Sequence, residues 1–206
     1  MTHKTPPFHS FIEELQVIRC NVGSASPRDL MDRCERLIDG HADFSGVEHT
    51  LGFGFVVSTA QRICAAYAHQ RLADGLPTTD FEDAHDIATR LRRAARSPWA
   101  QYAKGFSVSL HNRLTDRTLS AGHVASDLHI TRFHLARLLA EATGHNFRWH
   151  VNSRRLAYAQ RLLRHSNLAL KEIAADVGFA SASQLSNRFR DLFGVTPSTF
   201  RRLFRT

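Results

Sequence analysis

The chain is 206 residues long, room for one ordinary domain or two small ones, each with its own core. Hydrophobic residues make up 43% and charged residues 22%, a balance that excludes a largely disordered chain. The net charge of +8 is unevenly spread: residues 1–105 hold 12 Lys/Arg against 13 Asp/Glu, and residues 106–206 hold 15 against 6.

The opening residues, Met1 through Pro7, carry no apolar run and no small-residue cleavage site, so a cytoplasmic protein is expected. Phe11, Ile12, Leu15 and Ile18 share one helical face between Phe8 and Cys20. Ser26-Pro27 places an N-cap before a proline at the first helical position. It opens a helix through Leu30, Cys34, Leu37 and Ile38 that stops near Gly40. A longer helix is expected from Val47 to Ala73, ended by Asp74-Gly75-Leu76-Pro77, and another from Thr79 toward Arg96, broken by Ser97-Pro98. The stretch from Leu51 to Ala60 is too short, and too interrupted by Gly52, Gly54, Ser58 and Thr59, to span a bilayer. No run of alternating strands occurs, so the fold class is all-α. Residues 1–98 read as a helical N-terminal domain and residues 99–206 as a second domain.

The second domain begins with a helix that ends near Asn112 and then repeats itself. Leu119–Gly144 and Leu170–Gly194 each contain a short helix, a tight turn, a second helix and a glycine suited to a left-handed helix end. In the later segment Leu170, Ile173, Ala174 and Val177 form one face. Gly178 supplies the turn, Phe179 plugs the corner, and Ser181 or Ser183 caps a helix that buries Leu185, Phe189, Leu192 and Phe193. In the earlier one Val124, Ala125 and Leu128 form the support face, Ile130 the corner, and Thr131 the cap of a helix burying Leu135, Leu138 and Leu139. His129 stands where the later segment has Gly178.

Between the repeats, Phe147–Leu163 reads as a linking helix of 17 residues, roughly 25 Å at ~1.5 Å per residue. That length approaches one turn of DNA, so a single chain could address two successive major grooves. Thr196-Pro197 opens a last helix that packs Phe200 and Leu203 and exposes Arg201, Arg202 and Arg205. Of the 15 basic residues after Gly105, 14 are arginine. The fork of arginine suits phosphates and guanine edges, and codon bias in a GC-rich genome would give the same preference.

These residues resemble the signature of AraC/XylS-type transcription regulators. The match runs through Ile173-Ala174, Val177-Gly178-Phe179, Leu185 to Arg190, Phe193 to Pro197 and Phe200-Arg201, with Arg155-Leu156, Ala159 and Leu162-Leu163 upstream. It covers about the last hundred residues, and the order and spacing of so many elements make it specific. The resemblance implies a DNA-binding domain that inserts two recognition helices into the major groove and regulates transcription, usually as an activator, with double-stranded DNA and RNA polymerase as partners. Its base-reading positions fall on Phe133, Ala136 and Arg137, and on Ala182, Ser183 and Asn187. Arg137 can bond guanine, Asn187 adenine, and Phe133 a thymine methyl. Thr131, Arg132, Ser181, Gln184 and Arg188 fall at phosphate-contacting positions. The chain departs from the family's aromatic pair at Gln184-Leu185 and from its Phe-Lys at Leu139-Ala140. The family's β-barrel sensor is not recognisable in residues 1–105.

Plainer readings stand beside these. Phe133 could be partly buried against a neighbouring helix, and Arg154 and Arg155 are expected to solvate the linking helix or pair with acids on it. Gly52-Phe53-Gly54 is explained by helix packing, and His85, near Asp83 and Asp86, by a surface position; no metal, cofactor or catalytic residue is called for. The alternative of a DNA-repair methyl-acceptor enzyme would need a clustered, metal-activated cysteine, and Cys20, Cys34 and Cys64 are widely spaced. The N-terminal domain offers a place for a small-molecule effector, a protein partner or a second copy of the chain, and the residues do not choose among them.

Overall fold

The computed structural model describes residues 17–18, 26–40 and 96–205, with eight helices among them. The chain divides into two compact units, Met1–Ala100 and Gln101–Thr206.

In the first unit, helix α1 (Pro27–Gly40) starts where Ser26-Pro27 predicts. The Ser26 hydroxyl oxygen accepts the Asp29 N–H at 3.2 Å and donates to the Asp29 carboxylate at 2.7 Å. An acid in the first turn also meets the positive end of the helix dipole. Leu30, Met31, Cys34 and Leu37 are buried, as is Ile18. The expected helices at Val47–Ala73 and Thr79–Arg96, most of Phe8–Cys20, and the positions Gly52, Gly54, Cys20, Cys64 and His85 lie outside the described residues.

The remaining helices are α2 (Ala100–Asn112), α3 (Ala121–Asp127), α4 (Arg132–Thr143), α5 (Phe147–His165), α6 (Leu170–Asp176), α7 (Ala182–Phe193) and α8 (Pro197–Phe204). No strand occurs among the described residues. Helices α3 and α4 pack together, as do α6 and α7, and α5 touches α6, α7 and α8. Buried Val124, Ala125, Leu135, Leu138 and Leu139 hold the α3–α4 pair. A chain of rings holds the other end: Phe189–Phe193 at 4.5 Å, Phe189–Phe200 at 5.3 Å and Phe200–Phe204 at 4.8 Å between centroids. Phe204 is fully buried and was not foreseen in the core; Leu192 and Leu203, expected there, are half-buried.

The linking helix is 19 residues long, about 28 Å at ~1.5 Å per residue. It is far more enclosed than its arginines lead one to expect, which corrects the solvated reading of Arg154 and Arg155: both are 8% exposed. Arg154 Nη1 donates to the His150 carbonyl at 3.3 Å, and burial lowers its pKa to about 10. Arg155 donates from Nε to the Leu114 carbonyl at 2.8 Å and from Nη2 to the Asp116 carbonyl at 2.6 Å. A buried guanidinium keeps its charge only where acceptors replace water, and main-chain carbonyls 39 and 41 residues away do that for Arg155.

Candidate nucleic-acid interface

The two repeats adopt the same local geometry. At the first turn the Ile130 N–H bonds the Ala125 carbonyl at 3.0 Å; at the second the Phe179 N–H bonds the Ala174 carbonyl at 2.8 Å. His129 has φ +55° and Gly178 φ +86°, so the histidine adopts the left-handed conformation that glycine supplies in its counterpart. Thr131 caps α4 by accepting the His134 N–H at 3.1 Å, and Ser181 caps α7 by accepting the Gln184 N–H at 3.1 Å. Both helices end on a left-handed glycine, Gly144 and Gly194. One residue distinguishes them: Ala180 separates the corner from the cap in the second unit, and its N–H is accepted by Gln184 Oε1 at 2.9 Å.

The outer face of α4 carries Arg132, Phe133, Ala136 and Arg137, all exposed. Phe133 is 72% exposed, which excludes its burial against a neighbouring helix. The Arg132 guanidinium lies over its ring, 4.8 Å from the centroid, an attraction between cation and π-face that stiffens both side chains. Arg137 is steadied from two sides, by His134 Nδ1 at 3.4 Å and by Glu141 Oε1 at 3.9 Å. Such exposed pairs contribute little stability, yet they hold the guanidinium out along the helix face.

On α7, Ser183, Gln184, Asn187 and Arg188 are exposed and Ala182 is half-buried. Arg188 pairs with Asp191 at 3.5 Å. Gln184 has its carbonyl oxygen committed to Ala180, which leaves its amide N–H groups as the outward donors. The cap oxygens of Thr131 and Ser181 are committed in the same way, and their hydroxyl protons remain to be donated. The eleven positions singled out from sequence therefore lie on or beside the outer faces of α4 and α7, in two equivalent clusters. Each cluster joins hydrogen-bonding side chains to a capped helix N-terminus, a combination that attracts anions.

Two features that brace these clusters were not foreseen. Asp127, at the end of α3, accepts from the Ser109 hydroxyl at 2.6 Å and from Arg113 Nε and Nη2 at 3.1 and 3.2 Å. The Ser109 bond first, then Arg113, holds its carboxyl below the ordinary range. The second is Arg155, which carries the loop between α2 and α3 against the turn of the other unit. A Cβ on Gly178 would lie 2.8 Å from the Thr115 carbonyl oxygen and 3.1 Å from Arg155 Cζ. The periodicity held a signal for it: Val151, Arg155, Ala159 and Leu163 recur at four-residue intervals on one buried stripe.

Residues 124–203 match the family described as a helix-turn-helix domain. Over 184 residues, 89% of this chain, the sequence is 27% identical to the HTH-type transcriptional activator RhaR of Escherichia coli, with 56% of that protein covered. The same figures hold for RhaR of Shigella boydii. The chain thus spans about half the length of the curated relatives it matches. Among solved structures, it is similar to the C-terminal domain of AraT, a response regulator from Geobacillus stearothermophilus: 26% identity, 57% of this chain and 87% of that one, TM-score 0.46. It is also similar to the DNA-binding domain of AdpA in complex with a target DNA: 24% identity, 48% and 90% covered, TM-score 0.44.

Proposed function

We propose that the chain is a transcription regulator of the AraC/XylS type, a reading supported by the helix-turn-helix family match over residues 124–203 and the likeness to RhaR, and that it binds double-stranded DNA as an activator, with α4 and α7 entering successive major grooves. The observation that carries the reading is the duplicated geometry: two capped helices, equivalent in turn and termination, each with an outward polar face and joined by a buried rod. Phe133, Ala136 and Arg137 read bases from α4, and Ala182, Ser183 and Asn187 from α7. Half-buried Ala182 contributes a methyl surface rather than a hydrogen bond. Thr131, Arg132, Ser181, Gln184 and Arg188 hold phosphates. Activation requires contact with RNA polymerase, and the activator RhaR supports that part of the reading. Residues 1–98 supply the control of a cytoplasmic regulator, through an effector, a partner protein or dimerisation. Cys34 is completely buried, which disfavours it as a methyl acceptor.

The decisive experiment is to map the sites bound by the full chain and titrate one of them against Arg137→Ala. The variant is expected to lose about 1–3 kcal/mol on the preferred site and little on random duplex. Equal losses on both would remove Arg137 from base reading, and failure of the unmodified chain to bind any duplex would end the proposal.

A further inference from the structure

The C-terminal end of α5, the first residue of α6, helix α8 and Arg205 just after it line an open cleft of about 340 Å³. Leu163, Leu170 and Pro197 form its apolar walls. Its polar groups are the Ser198 hydroxyl and the guanidiniums of Arg201, Arg202 and Arg205. Among the described residues that line it there is no Asp or Glu. Three cations crowded at the C-terminal end of α8, Arg201 and Arg202 in its last turn and Arg205 as its cap, repel each other, and apolar walls weaken the screening by water.

The arginines are also held in place. Arg201 Nη2 donates to the Leu168 carbonyl at 2.5 Å, and Arg205 Nη2 donates to Asn167 Oδ1. Each uses one N–H on the loop before α6 and keeps the rest of its fork. Arg201 Nε is buried and finds no acceptor, so the part of its fork that can meet an incoming group is the Nη end. Arg202 stands exposed beside them.

We propose that this cleft is a phosphate-binding site. A tetrahedral group with several charged oxygens accepts from converging forks and from a hydroxyl together, and arginine favours that geometry. The phosphate has two sources, the DNA backbone and a free phosphorylated compound. Leu170, the first residue of α6, lines the cleft, and in a helix-turn-helix the first helix crosses the backbone. On that source the site adds an anchor beside the second major groove, beyond the residues already assigned; this part rests on the DNA-binding reading, and the free-phosphate part does not.

Two measurements on the full chain decide it. Affinity for a mapped duplex and for random duplex is followed against salt for the unmodified chain, for Arg202→Ala and for Arg36→Ala, an exposed arginine of α1 used as control. Arg202→Ala is expected to reduce the slope of log affinity against log salt by about one on both duplexes, and the control to leave it unchanged. Separately, inorganic pyrophosphate is titrated into the DNA-free chain by calorimetry and by NMR, with shifts at Ser198 as a readout that needs no variant and Arg202→Glu as the variant that abolishes binding. A lowered slope without pyrophosphate binding identifies the DNA backbone as the source; pyrophosphate binding with an unchanged slope identifies a free compound. An unchanged slope together with no pyrophosphate binding overturns the proposal. If the chain binds no duplex at all, the DNA-binding reading fails and the pyrophosphate titration alone decides the cleft.

Discussion

Arg155 Nη2 donates to the main-chain oxygen of Asp116 across 2.6 Å, and this bond ties the linking helix to the loop that leads into the first helix-turn-helix. The same guanidinium lies 5.9 Å from the centroid of the Phe179 ring, at the corner of the second. The two units are therefore joined in two ways, through the rod of α5 and through a lock between the loop at Thr115 and the turn at Gly178.

Replacing Arg155 by methionine keeps much of the aliphatic stem and removes both donors. We expect a loss of about 3 kcal/mol in urea denaturation, since bonds from a charged group contribute about 1.5–3 kcal/mol each and two carbonyls lose their donor. On DNA, the variant should tolerate a base pair inserted between the two half-sites better than the unmodified chain does. Identical spacing preference in the two proteins would assign the spacing to α5 alone.

His129 and Gly178 occupy equivalent turns with opposite chemistry, so opposite substitutions should have opposite effects. His129→Gly relieves a side chain from a left-handed backbone and should stabilise by about 1 kcal/mol in thermal or urea unfolding. Gly178→Ala adds left-handed strain and a Cβ 2.8 Å from the Thr115 oxygen, and should cost about 2–4 kcal/mol. A neutral Gly178→Ala would show that the loop at Thr115 yields.

His150 predicts a dependence on pH. Its ring is fully buried and Nε2 lies 3.0 Å from Thr143 Oγ1. The Thr143 hydroxyl donates to the Leu139 carbonyl at 2.7 Å, so the hydroxyl oxygen accepts from Nε2–H and the ring is neutral, with Nδ1 buried and unpartnered. Burial first, then the charges of Arg154 and His145, holds the His150 pKa well below 6.5. The unfolded chain takes up a proton near pH 6.5 that the folded chain refuses. Stability from this group is thus complete above 6.5 and falls by about 1.4 kcal/mol per pH unit below it, until the folded pKa is reached. Asp116 and Asp127, both lowered from 3.8, act only in a more acidic window. Unfolding midpoints at pH 8 and pH 5.5 for the unmodified chain and for His150→Gln test this; equal pH sensitivity in the two would refute it.

Phe133 exposes an apolar ring that contributes little to the fold, so Phe133→Ala should leave unfolding unchanged within about 0.5 kcal/mol. If the ring meets a thymine methyl, replacing that thymine by uracil in a mapped site should weaken the unmodified chain and have no further effect on the variant. Equal sensitivity of both proteins to uracil would place the methyl elsewhere.

Local patterns determined much of this protein. Caps at Ser26, Thr131, Ser181 and Thr196 specify where α1, α4, α7 and α8 begin, and left-handed glycines at Gly144 and Gly194 where α4 and α7 end, because those choices depend on neighbours within a turn or two. The faces left outward on α4 and α7 follow from helical periodicity. Tertiary structure alone decided what happens to the charges. Arg154 and Arg155 read as solvated residues of the linking helix, yet both are buried, as is Arg164, and Arg155 and Arg164 donate to carbonyls some forty residues away in sequence. Arg201 and Arg205 were expected to be exposed; Arg205 is and Arg201 is half-buried, and both donate to the loop before α6, which no local pattern announces. A guanidinium is costly or stable in the interior according to the acceptors that reach it, and those acceptors belong to distant main chain that no local pattern encodes.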